Sequence, residues 1–220
     1  MNKTALNLSL YLHFLFGSAI TKFISLTLLL FAAPETSQCQ LLDSLTLSQQ
    51  KTYFSIQDAQ LYPDSVYKLN LTKKKLKQVP PEVFGFKNLQ ILNLSKNDLK
   101  ELPVQIGELT NLQHIDASNN KLESIPSQIG LLENMVHLNF NRNLIVAIPP
   151  EIGNLKNLEV LEMWDNELDS IPDSIKNLHN LKVLELRGIL FSENDQRYVR
   201  KLVPHARVYF SPSCACANKF

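Results

Sequence analysis

The sequence predicts an α/β solenoid. Short coils stack to build a curved parallel sheet on the concave face and short helical or 3-10 segments on the convex face. Three observations carry this expectation. Prolines recur at a step of 23 residues, at Pro80, Pro103, Pro126, Pro149 and Pro172. An asparagine column keeps the same step at Asn97, Asn120, Asn143 and Asn166. Three apolar positions open each repeat: Leu89, Leu92, Leu94; Leu112, Ile115, Ala117; Met135, Leu138, Phe140; Leu158, Leu161, Met163. Further columns agree, among them Val83, Ile106, Ile129, Ile152 and Ile175. Agreement at so many positions identifies a repeat architecture before any local reading is needed.

In chain order, residues 1–39 come first and differ from the rest. Lys3 precedes an apolar stretch, Lys22 precedes a second one, and Ala32 and Ala33 are followed by the polar run "PETSQCQ". A charged start, an apolar run and small residues at its end make the layout of a secretory signal peptide. An uncleaved N-terminal anchor is the alternative, because the two stretches together approach the roughly 20 apolar residues of a spanning helix. Cleavage fits after Ala33, or after Cys39 with Ser37 at the minus-three position. Gln38 suits a lipoprotein signal at Cys39 poorly.

Residues 40–65 are expected to cap the N-terminal end of the stack. Ser55 with Asp58 three residues later is a partial capping box for a short helix. Residues 66–188 hold five full repeats and the start of a sixth. In "LNL" or "LEM" the alternation has period two, so apolar side chains face inward and their neighbours outward. The asparagine column falls where the chain turns inward after each strand, where a buried amide can bond backbone groups that would otherwise be unsatisfied. Each proline then fixes φ at the start of a return segment too short for a long helix. Lys74 breaks the asparagine column in the first repeat and Ile189 breaks it in the sixth. Residues 189–220 read as a C-terminal cap and tail. Ser192 precedes a helix with an apolar stripe of Val199, Leu202 and Val203, and residues 206–210 form a last strand. Cys214 and Cys216 are too close together for an easy disulfide.

"LQILNLSKNDLKELPVQIGELTN", residues 89–111, resembles a leucine-rich repeat of the 23-residue type. The resemblance covers residues 66–188. It implies a leucine-rich repeat horseshoe, and a binding role rather than one particular partner. Extracellular animal members usually carry cysteine-rich caps. This chain does not, so it is more similar to exported bacterial members. It is expected to be secreted, periplasmic or at the cell surface.

The formal charge of +1 gives no reason to expect nucleic acid or a membrane surface as partner. Membrane contact is expected only through the N-terminal segment, if it is uncleaved. No phosphate loop, nucleophile elbow or His-Glu-x-x-His pattern is present, so the chain reads as a non-enzyme with no cofactor. The expected function is a monomeric binding module for a protein or peptide on the concave face. The alternative is a structural or adhesive component of the cell envelope.

The candidate contact residues are the outward strand positions: His114, Asp116, His137, Asn139, Asn141, Arg142, Glu162, Trp164, Asp165 and Arg187. Lys68, Lys73 and Lys96 make one end of the face basic, while Glu162, Asp165 and Glu185 make the other acidic. Such a polarity would orient a charged partner, although charges also solubilise any surface. Trp164, the only tryptophan, stands where the repeat requires none. Tryptophan is enriched at interface hot spots, which favours a contact role. The alternative is local packing, with the indole against Asn141 and stacked on Arg142 or Arg187. His114, Asp116 and His137 share one face, but no spacing signature supports a metal there. The sequons at Asn70 and Asn93 lie on strands that the repeat already explains.

Overall fold

A computed structural model describes residues 41–212. The expected signal segment with Cys39, and the tail with Cys214 and Cys216, lie outside the described residues.

Eight strands form one parallel sheet in sequence order: β1 (Thr52–Tyr53), β2 (Lys68–Asn70), β3 (Ile91–Asn93), β4 (His114–Asp116), β5 (His137–Asn139), β6 (Val160–Glu162), β7 (Val183–Leu186) and β8 (Arg207–Phe210). Each strand pairs only with its sequence neighbours, and from β2 to β7 the register follows the sequence period, as in Ile91↔His114 and His114↔His137. Identical coil lengths leave no freedom in that register. The result is an open horseshoe-type solenoid.

The inward strand residues Leu69, Leu92, Ile115, Leu138, Leu161 and Leu184 are at most 1% exposed. Each buried leucine or isoleucine side chain contributes about 1.5–3 kcal/mol from apolar transfer. The return segments are 3-10 turns: Pro81–Gly85, Val104–Glu108, Ser127–Leu131, Pro150–Asn154 and Asp173–Asn177. A proline precedes each one in extended or near-extended backbone. The glycines at 130 and 153 are needed because successive turns nearly touch. A Cβ there would stand 2.6 Å from the carbonyl oxygen of Glu151 or Ser174 in the next coil.

The asparagines fasten each coil to its neighbour. Asn143 Nδ2 donates to the carbonyls of Ala117 and Phe140, at 3.1 and 2.9 Å, while its Oδ1 accepts from Leu122 N at 3.1 Å. Asn97, Asn120 and Asn166 repeat this pattern in their own coils. Lys74, which takes the column position in the first coil, gives its backbone N–H to Asn97. A second asparagine column was not anticipated from the sequence, although it keeps the same period. Asn88, Asn111, Asn134, Asn157 and Asn180 each donate to a carbonyl of the preceding coil, at 2.7–2.9 Å.

At the N-terminal end, Ser55 caps helix α2 (Ile56–Gln60) by accepting from Asp58 N at 3.1 Å. Helix α1 (Ser44–Gln49) and strand β1 also belong to this end, and neither has a periodic signal in the sequence. At the other end, helix α3 (Glu193–Leu202) starts in a full capping box of Ser192 and Asp195. Ile189, in place of an asparagine, is buried in the core. Phe191 and Phe210 pack edge to face at this end. Among the described residues, no helix is long and apolar enough to cross a membrane.

Candidate partner-binding face

Four positions per coil carry the outward side chains of the sheet. The first is the column Ile91, His114, His137 and Val160, aligned by register. Residues in the second mostly turn a side-chain oxygen inward, to accept the N–H two residues on. Asn70 accepts from Thr72, Asn93 from Ser95, Asp116 from Ser118, Asn139 from Asn141 and Glu185 from Arg187, at 2.9–3.0 Å. The fourth position, held by Lys73, Lys96, Asn119, Arg142, Asp165 and Gly188, is left-handed, with φ between 54° and 75°. The chain turns there from the strand towards the buried asparagine.

The third position departs from the sequence expectation. Period two turns Ser95, Ser118 and the second-position Glu185 outward, yet they are only 5%, 7% and 7% exposed. Small hydroxyls sink between neighbouring coils, and Glu185 is covered by the guanidinium it binds. In the first coils this produces a closed network. Thr72 Oγ1 and Ser95 Oγ both donate to Asn93 Oδ1, at 2.8 and 2.7 Å, and Asn93 Nδ2 reaches Asp116 at 3.4 Å.

The fifth coil breaks the pattern. Glu162 turns away from the N–H of Trp164 and meets His137 Nε2 at 2.9 Å. Asn141, one coil earlier, accepts from Trp164 N instead, at 2.7 Å. The half-buried indole lies under Arg142, whose guanidinium carbon is 4.4 Å from the ring centroid. Its Cδ1 neighbours Gly188, where an added Cβ would sit 3.2 Å away. Arg187 takes no part in this stack. Glu185 holds it at Nε and Nη2, at 2.8 and 2.6 Å, and it leans over Tyr209 at 5.7 Å. The hydrogen bonds to Glu185, and then that carboxylate's charge, raise the Arg187 pKa above its ordinary value.

The carboxylates of the acidic end predicted from sequence therefore have partners of their own. Glu162 faces His137, Glu185 is bound by Arg187, and Asp165 stands 4.0 Å from Arg142 Nε. His114 and His137 approach edge to face, with ring centroids 6.1 Å apart. Burial, and secondarily the neighbouring imidazole, lowers the pKa of His114. Among the described residues, no three His, Cys, Asp or Glu side chains converge as a metal-ligand set. Tyr209 was not anticipated as part of this face. Its signal was the alternation of β8, which aligns it with Glu185 and leaves it 43% exposed.

Comparison with known proteins agrees with this geometry. A family model described as a leucine-rich repeat region matches residues 84–206, more than half of the chain. No curated protein matches the chain. Among solved structures, a leucine-rich repeat protein of Leptospira interrogans is 29% identical, with a TM-score of 0.61 over 75% of this chain and 49% of that one. The chain thus spans about half the length of that relative. The leucine-rich repeat ectodomain of a plant membrane receptor kinase from Arabidopsis thaliana was solved in complex with Casparian strip integrity factor 2. It is 28% identical, with a TM-score of 0.52 over 57% of this chain and 16% of that one. A TDR receptor structure, at 24% identity, has a TM-score of 0.59 over 73% and 28% of the two chains and shares the fold.

Proposed function

The chain belongs to the leucine-rich repeat proteins, and on that premise we propose that it is an exported, non-enzymatic binding module. It takes a protein or peptide partner on its concave face and acts as a monomer. One observation carries this reading. The only tryptophan stands on that face, in a coil where the repeating hydrogen-bond pattern has been rearranged around it. A frame-only residue would leave the pattern of the other coils intact. Tryptophan and arginine stacked together match the composition of interface hot spots. The plant ectodomain, solved with its factor, is a precedent for ligand recognition on this scaffold. Export rests on the layout of the N-terminal segment.

The contact centre comprises Trp164, Arg142, Asn141 and Asn139, with Glu162, Asp165, Arg187, His114, Asp116 and His137 around it. Affinity capture with the full chain, run beside Trp164→Ala, tests the reading. Partners retained by the parent and lost by the variant support it. Retention in the cell envelope that no concave substitution changes would replace it with the structural reading.

A further inference from the structure

Charge is distributed unevenly along the stack. Residues 41–77, the N-terminal cap and the first coil, hold six lysines and three carboxylates. Residues 78–192 hold nine lysines and arginines against 15 carboxylates. The formal charge of +1 therefore hides a basic end joined to an acidic body. Lys73, Lys74, Lys75 and Lys77 are all exposed, and none makes a salt bridge among the described residues. Asp98 of the next coil is held by Lys121 at 2.6 Å. That hydrogen bond and charge lower the Asp98 pKa first, and Lys77 and Lys75 lower it further. Three lysines thus share one carboxylate. Of the carboxylates at the end itself, Asp43 is turned to Thr46 at the start of α1. Asp58 and Asp64 bond no lysine among the described residues.

The same end carries apolar surface. Leu45, Phe54, Leu61 and Tyr62 are 70%, 58%, 70% and 61% exposed. All four belong to the cap, whose strand β1 pairs with β2 and has no strand on its other side. Lys74 lines a shallow pocket with Ser55, Ile56 and Gln57 of the cap and with Glu82, so the lysine run borders the cap. The first coil stands one strand spacing, about 4.8 Å, behind β1. The flexible four-carbon stem of lysine can bridge such a step and carry its ammonium forward. These two features together select an occupant. A second copy stacked end to end is disfavoured in either sense, because residues 193–212 at the other end are basic too, with four cations against two carboxylates. A soluble polyanion would satisfy the lysines and leave the apolar side chains in water. An anionic bilayer meets both, since apolar and aromatic side chains enter its interface while lysines reach the headgroups.

We propose that the N-terminal end of the solenoid docks on the surface of an anionic lipid bilayer. The apolar residues of the cap lie at the interface, and the lysines of the first coil lie among the headgroups. Apolar area and charge act together here, because either signal alone gives marginal and reversible binding. The concave face takes no part in the contact and stays open to its own partner.

Flotation of the full chain with two kinds of vesicle tests this: phosphatidylcholine alone, and phosphatidylcholine with about one third phosphatidylglycerol. The apolar N-terminal segment is common to every sample, so the difference between the two vesicles is what is read. Phosphatidylglycerol should strengthen binding about 100-fold, and the gain should vanish near 1 M salt, where the Debye length is about 3 Å. Lys75→Gln with Lys77→Gln should weaken binding to the charged vesicles about 30-fold, or about fivefold per lysine. Phe54→Ser with Tyr62→Ser should weaken it about tenfold. Lys176→Gln with Lys182→Gln makes the same change of charge far along the stack and should alter it less than about twofold. Circular dichroism of each variant separates these effects from misfolding. Equal binding to both vesicles, or a difference that the Lys75 and Lys77 substitutions leave unchanged, overturns the proposal. A gain that needs the lysines and ignores Phe54 and Tyr62 also overturns it, and assigns the end to soluble polyanions. Capture of a partner on the concave face is read separately through Trp164→Ala, so the two readings fail independently.

Discussion

The two halves of the concave face are built on one frame and finished differently. In the first coils Thr72, Ser95, Asn93 and Asp116 satisfy one another, so the surface is closed on itself. In the fourth and fifth coils Asn139 and Asn141 commit their side-chain oxygens to backbone N–H groups, and Arg142 stacks on Trp164. The backbone register is the same in both. The difference therefore lies in the side chains and not in the backbone frame.

The largest expected effect tests whether the frame is shared. Asn97→Ala in the first half and Asn143→Ala in the second each strip a buried amide from backbone groups of two coils. Each should lose about 3 kcal/mol of stability, seen as a fall in Tm of about 10 °C. A large loss in one half and none in the other would break the premise of a common frame.

Next comes the contrast between the halves. Trp164→Ala should weaken a captured partner by about 2 kcal/mol, near 30-fold, while costing about 1 kcal/mol of stability. Thr72→Ala should do the reverse, costing about 1 kcal/mol of stability and leaving affinity unchanged. Isothermal titration beside thermal melts reads both quantities. Equal affinity losses would erase the distinction.

Gly188→Ala sharpens it further. Its φ of +75° and the approach of a Cβ to Asp165 at 2.9 Å strain the backbone by about 1 kcal/mol. The same Cβ pushes on the indole, so affinity should fall together with stability. A change in melting alone would separate Gly188 from the contact centre.

The smallest effect is one of pH. His114 has its pKa lowered by burial and by His137, with Asp116 beside it on the same strand. As pH falls below the ordinary value of 6.5, the unfolded chain takes up a proton that the folded chain resists. Stability should therefore decline from there until the folded pKa is passed. His114→Gln should flatten that part of a stability–pH curve, measured by urea unfolding.

Much of the frame was legible in the sequence because it repeats. The apolar columns, Asn97 and its successors, Ser55 and Ser192 each announce one local physical role. Helix α1 and β1 were not legible, because a single capping segment has no second copy to compare with. The burial of Ser95, Ser118 and Glu185 was not legible either, since period two fixes which face a residue takes but not how deeply its neighbours cover it. The partner of Trp164 was equally open. Arg142 and Arg187 both lie within reach, and the outcome turns on Glu185 holding Arg187 with two hydrogen bonds. Side-chain hydrogen-bond partners cannot be read from the repeat period, so the division of the face into two halves emerges only in three dimensions.

Hydroxyl-radical footprinting of the captured complex tests that division most directly, because exposed aromatics are strongly reactive and lie on several faces. With partner bound, Trp164 and Tyr209 should lose reactivity, while Phe54 and Tyr62 at the N-terminal end and Tyr198 on α3 keep theirs. Protection of Phe54, Tyr62 or Tyr198 with Trp164 unchanged would contradict the account.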